Sequence, residues 1–149
     1  MGLGVAFLSA LASLTVAVSA WAAQPPVYLP PNGAAVSGYD PVAYFVESRP
    51  VAGNPGFTYE WQGATWRFAS QAHLERFKAD PARYAPQFGG YCAWAVSQGY
   101  TASADPQAWR IVEDKLYLNY SLDVQKTWEQ DVTGNIAKGE ANWPLVLDK

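Results

Sequence analysis

The chain has 149 residues, half of them hydrophobic, with 7 Trp, 9 Tyr and 6 Phe, which is material for one core and one domain. A formal net charge of −3 and a pI near 5.0, with no run of Lys or Arg, exclude a nucleic-acid partner, which needs a basic face to displace counterions. The only cysteine, Cys92, rules out an internal disulfide and is left to be buried, a ligand or an intermolecular partner.

No side chain from Met1 to Tyr39 is charged, and residues 1–22 are apolar and rich in small residues. This reads as a signal peptide, with Ala20-Trp21-Ala22 as the small-x-small cleavage pattern and a periplasmic or secreted mature chain starting near Ala23. The long run and the lack of an initial Lys or Arg make a retained membrane anchor the rival reading. Dilution of the run by Ala, Ser, Gly and Thr favours cleavage. Residues 23–33 hold four prolines and predict an extended tether, so the domain proper is expected over residues 34–149.

Within the domain, Gly38-Tyr39-Asp40-Pro41 predicts a turn, and Val42 to Phe45 a short helix or turn packed on the core. Arg49 to Gly56 is dense in Pro and Gly and predicts a loop. Tyr59-Glu60-Trp61 and Trp66-Arg67-Phe68 alternate aromatic and charged residues around Gln62-Gly63, which is a hairpin with one aromatic face. Ser70 then stands as a helix N-cap, Leu74 and Phe77 share a helical face, and Asp80-Pro81 ends the helix. Gly89-Gly90 predicts a tight turn, with at least one glycine at positive φ, into a helical segment from Tyr91 to Gln98.

Trp109 to Val112 and Leu116 to Asn119 predict a second hairpin around Glu113-Asp114-Lys115, a loop without the favoured glycine. Ser121 can cap the helix that follows, in which Val124, Trp128, Val132 and Ile136 recur every four residues; Gly134-Asn135 is the expected break. The two hairpins line up at an offset of 50, which pairs Tyr59 with Trp109, Trp66 with Leu116, Phe68 with Leu118 and Leu74 with Val124. Two copies of a strand-strand-helix unit would explain this, and so would the common period of any two hairpin-helix units. The expected architecture is α+β: a small antiparallel sheet of two hairpins with helices packed on one side.

Tyr39-Asp40-Pro41-Val42-Ala43-Tyr44-Phe45, Trp66-x-Phe68-x-Ser70, Phe77-x-x-x-Pro81-x-x-Tyr84, Gly89-Gly90-Tyr91-Cys92-Ala93 and Leu116-Tyr117-Leu118-Asn119 occur in this order. Together they resemble a YHS domain-containing protein of the secreted bacterial kind, over nearly the whole chain after the apolar segment. Better-understood YHS relatives, which resemble metal-binding TRASH domains, carry cysteines where this chain has Ala43 and Ala69. The resemblance therefore implies a metal role whose thiolate cluster is missing here, with His73 and Cys92 as the remaining ligands for copper or zinc.

His73, the only histidine, falls in the first turn of its helix, where the helix dipole favours the neutral, metal-binding imidazole. Its bland reading is a partly buried ring satisfied by a backbone carbonyl. Cys92 at a helix start would have a lowered pKa if solvent reached it, and would otherwise be a small buried hydrophobe. The turn at Gly89-Gly90 predicts that His73 and Cys92 face each other across a groove. Two such ligands underfill a tetrahedral zinc site, so the site would be open and completed by water, Tyr39, Tyr91 or a partner chain.

Hydrolase, phosphate-binding and Cys-x-x-Cys motifs are absent, and Cys92 with His73 as base lacks an orienting third group. Asp40 and Asp80 each precede proline, which explains them as turn residues. Tyr39, Tyr44, Tyr91, Trp94 and Tyr100, in or near turns, could line a cleft for a small planar ligand or a partner protein, or simply fill a core. Metal handling, a non-catalytic ligand-binding module and an enzyme are thus the classes in contention. Metal content of the purified protein separates the first from the others.

Overall fold

The computed structural model describes residues 1–4 and 23–149. The expected signal peptide, its cleavage pattern and the rival anchor lie, beyond residues 1–4, outside the described residues. Among the described residues no helix is long and apolar enough to cross a membrane. The fold is α+β, as the sequence predicts, with two antiparallel hairpins and six short α-helices among the described residues.

The first half of the domain runs through α1 (Ala43–Val46), β1 (Asn54–Trp61), β2 (Ala64–Phe68), α2 (Gln71–Ala79) and α3 (Pro81–Tyr84). The second runs through α4 (Ala93–Ser97), β3 (Asp105–Val112), β4 (Lys115–Asn119), α5 (Leu122–Glu129) and α6 (Val132–Asn142). Each hairpin is its own two-stranded sheet. Both turn on two residues at positive φ, Gln62-Gly63 and Glu113-Asp114, the backbone twist that suits a tight hairpin.

The pseudo-repeat is present, but its hairpin register is 51 and not 50. Asn54 pairs with Phe68 and Asp105 with Asn119, and each strand pair then carries a register shift before regular pairing resumes. The Asn54 side chain accepts from Gly56 N and that of Asp105 from Gln107 N, both at 2.8 Å. This is why β1 begins inside the stretch predicted as a loop. Ser70 accepts from His73 N at 3.2 Å, and Ser121 from Val124 N at 3.1 Å. Trp66 packs on Phe77 with ring centroids 4.9 Å apart, and Tyr117 on Trp128 at 5.4 Å.

The likeness extends upstream of the hairpins at an offset of 52. Val36-Ser37-Gly38 and Phe88-Gly89-Gly90 are successive positive-φ residues in two matching turns. Tyr39 N then donates to Val36 O, and Tyr91 N to Phe88 O, both at 3.0 Å. The Gly89-Gly90 turn therefore takes the predicted form, and two similar turns launch two similar units.

One core gathers Val42, Tyr44, Trp66, Phe68, Phe77, Leu116 and Leu118; the other gathers Phe88, Tyr91, Val96, Tyr117, Trp128 and Val146. β4 contributes to both, Leu116 and Leu118 to the first and Tyr117 to the second. Two expectations are corrected. The proline-rich stretch is docked: Val27 is buried, Gln24 N donates to Leu147 O at 2.7 Å and Tyr28 N to Gly89 O at 2.9 Å. An extended backbone without partners of its own offers its polar groups to the neighbouring turn. The last helix breaks at Asp131, whose carboxylate caps α6 by accepting from Gly134 N at 3.0 Å, so Gly134 lies inside the helix.

Replacing Ser70 or Ser121 by Ala is expected to cost about 1 kcal/mol each, the usual loss for an N-cap. Chemical denaturation of both variants checks this, and a cost at one site only would separate the two units energetically.

Candidate functional site

Asp40 and His73 form the candidate site, from residues 33 positions apart. Asp40 leaves the first turn with its backbone N donating to Val51 O at 2.9 Å, and its side chain is fully buried. Its Oδ1 accepts from Val42 N at 2.8 Å and Ala43 N at 3.3 Å, which is the local turn role read from Asp-Pro. Its Oδ2 accepts from Ala69 N at 2.9 Å and lies 2.5 Å from His73 Nδ1. The carboxylate thus ties together the start of α1, the end of β2 and the first turn of α2.

His73 is held from two sides, its backbone by Ser70 and its ring by Asp40. A carboxylate that already takes an amide N–H on the same oxygen accepts again, so Nδ1 carries a proton toward Asp40; in the tautomer protonated at Nδ1 alone, the lone pair sits on Nε2. The side chain is 15% exposed, and Nε2 has no partner among the described residues and is not among the sealed polar atoms, so it meets solvent. A ring fixed by a buried carboxylate, with its other nitrogen free, can coordinate a metal ion or move a proton.

His73 and Cys92 have separate neighbourhoods. Cys92 is 1% exposed at the start of α4; its Sγ accepts from Tyr120 N at 3.2 Å and donates to Asn119 Oδ1 at 3.6 Å. Burial pushes the thiol up, against a smaller downward pull from the N–H groups of Ala95, Tyr120 and Trp94. Of the two readings of Cys92, the accessible thiolate and the small buried hydrophobe, the structure has the second, because desolvation outweighs the helix start. The other expected ligands are also committed elsewhere: Tyr91 hydroxyl donates to Pro25 O at 2.8 Å, and Tyr39 hydroxyl accepts from Gln107 Nε2 at 3.5 Å.

The five aromatics named for a cleft do not share one. Tyr44 and Tyr91 are core residues, and Tyr44 donates its hydroxyl to Pro106 O at 2.8 Å. Trp94 and Tyr100 line a cavity of about 270 Å³ with Tyr120 and Cys92. A different cavity, of about 260 Å³, is lined by Trp61, Trp66, Phe88 and Trp143.

Among the described residues no group of three or more His, Cys, Asp or Glu could hold a metal ion, and Ala43 and Ala69 stand where the resemblance to the YHS family led to an expectation of cysteines. The donor set does not fit a closed metal cage. It fits one oriented imidazole with open positions around any ion it takes.

Sequence reasoning missed Asp40 as the partner of His73. The residue before Pro41 already had a sufficient local explanation, and only its second oxygen serves the site. The family model of the YHS domain matches residues 42–88, a span that includes α1, the first hairpin, α2 and His73. No curated protein and no solved structure matches the chain.

Proposed function

From a chain that carries a YHS domain over residues 42–88, we propose an exported protein that takes up and passes on a transition metal ion, copper or zinc, through Nε2 of His73. The observation that carries this reading is the Asp40–His73 pair, in which a buried carboxylate fixes the ring and leaves one nitrogen facing solvent. Imidazole suits both metals. A carboxylate behind a metal-bound imidazole orients the ring and raises its basicity, and losing such a partner typically costs 10- to 100-fold in affinity. One protein ligand leaves the remaining positions to water or to a molecule that delivers or receives the ion. Weak, exchangeable binding is what a handling role requires. Export is supported by the apolar, charge-free residues 1–22 and their Ala20-Trp21-Ala22 ending.

Titration of zinc(II) and copper(II) into the full chain tests the reading. His73→Ala is expected to lose the site, Asp40→Asn to weaken it by about 10-fold or more, and Cys92→Ser to leave it unchanged. Equal affinity in the parent and His73→Ala would overturn it and make the tryptophan-lined cavity at Trp61, Trp66 and Trp143 the better lead.

A further inference from the structure

Cys92 stands in the second unit where Asp40 stands in the first. Both follow a Gly-Tyr pair leaving a positive-φ turn, and Cys92 N donates to Ala102 O at 3.0 Å as Asp40 N does to Val51 O. The amides that meet the two side chains also correspond: those two and three residues on, and the one that follows the second strand. For Asp40 these are Val42, Ala43 and Ala69; at the matching places beside Cys92 stand Trp94, Ala95 and Tyr120, of which Tyr120 N donates to Sγ. In the first unit this set of N–H groups binds a carboxylate.

A thiol uses the same set incompletely. Sγ accepts from Tyr120 N, while Trp94 N donates to Asn119 Oδ1 at 3.0 Å. The Asn119 carboxamide, 1% exposed, is aimed at the cysteine with Oδ1 3.6 Å from Sγ, and its buried Nδ2 has no hydrogen-bond partner. The second unit thus holds one buried donor beside the cysteine, Asn119 Nδ2, that nothing among the described residues satisfies. Cys92 also lines the 270 Å³ cavity with Trp94, Tyr100, Tyr120 and Val124, and that cavity is ample for a small oxidant. Val124 occupies the place of His73, so no imidazole competes for the donors.

We propose that Cys92 is an oxidation site, converted by a hydroperoxide to a sulfinate whose two oxygens are bound by the second unit's counterparts of the amides that bind the Asp40 carboxylate in the first. The thiolate, which burial disfavours and the Tyr120 N–H favours, attacks the O–O bond of hydrogen peroxide from within the cavity, takes one oxygen, and water leaves, giving a sulfenic acid. A second peroxide transfers another oxygen, a second water leaves, and the protons of the thiol and peroxides end in those waters and one released to solvent. Each peroxide accepts two electrons from sulfur. With no second cysteine in the chain, the sulfenic acid has no internal thiol with which to condense.

The test uses the full chain treated with rising hydrogen peroxide, followed by peptide mapping by mass. The expected result is a gain of about 32 Da on the Cys92 peptide that holds when peroxide is raised tenfold, with a higher melting temperature than the reduced protein. No gain, or passage through to about 48 Da without a plateau, overturns the proposal. A comparison that needs no oxidant is Cys92→Asp against Cys92→Asn at neutral pH. An anion-binding nest keeps the Asp variant folded and melting at or above the Asn variant; the reverse order, or an Asp variant that does not fold, overturns it.

Discussion

Asp40→Ala is expected to destabilise the domain by about 3–5 kcal/mol, because it removes a buried carboxylate and leaves all of its hydrogen-bond donors unpaired. The reason is specific to the geometry: Val42 N, Ala43 N, Ala69 N and His73 Nδ1 all point at one fully buried carboxylate. Truncation strands four donors in a space that gives them no replacement acceptor. Asp40→Asn should fall between, since one amide oxygen can serve only one side of the site and the amide NH₂ then faces another donor. Urea denaturation at neutral pH measures the series. A parent-like midpoint for Asp40→Ala would mean that the corner at Asp40 is not an organising contact of the first unit.

Gly89→Ala is expected to cost about 2–4 kcal/mol, and Gly90→Ala about 1 kcal/mol. Both glycines have positive φ, 62° and 81°. They differ in what a methyl group would meet. At Gly89 it would run into the Pro26 carbonyl and come within 3.2 Å of the Trp143 ring, whereas at Gly90 the nearest atom is Pro86 Cγ at 3.2 Å. The collision at Gly89 also involves the docked proline-rich stretch, because Gly89 O accepts from Tyr28 N. Thermal melts of the two variants decide the matter: equal, parent-like melting would show that this stretch is not seated against the turn.

What was legible in the sequence is what neighbouring residues cause. Ser70 and Ser121 cap helices three residues on, and Asp80-Pro81 separates α2 from α3, because each effect acts within one turn of chain. The hairpins were legible from alternation, yet their correspondence was read one residue out of register. Matching Trp66 to Leu116 and Phe68 to Leu118 pairs large apolar residues, but the structure matches Trp66 to Tyr117 and Phe68 to Asn119. Slipping a strand by one residue exchanges its faces. Because β4 is buried on both faces from Leu116 to Asn119, hydrophobicity no longer marks which face is which.

The Asp40–His73 pair was illegible for a different reason. A contact between residues 33 apart leaves no local trace, and the turn chemistry of Asp-Pro absorbed the residue that mattered. The wrong break at Gly134 arose in the same way, since glycine is a generic helix breaker while the actual stop, Asp131, works through a side-chain cap.

A strand with two wet-free faces also decides what can be cut. The matched span ends at Phe88, but Leu116 and Leu118 fill the core above it from the other half of the chain. A piece ending at residue 88 would carry the motif and the Asp40–His73 pair while leaving Trp66, Phe68 and Phe77 with an open side. Likeness of the two halves therefore does not confer independence on either. The span matched by the family model is smaller than the span that fills its core, so disorder of Leu116 and Leu118 in the second half is expected to loosen the first without contact to His73.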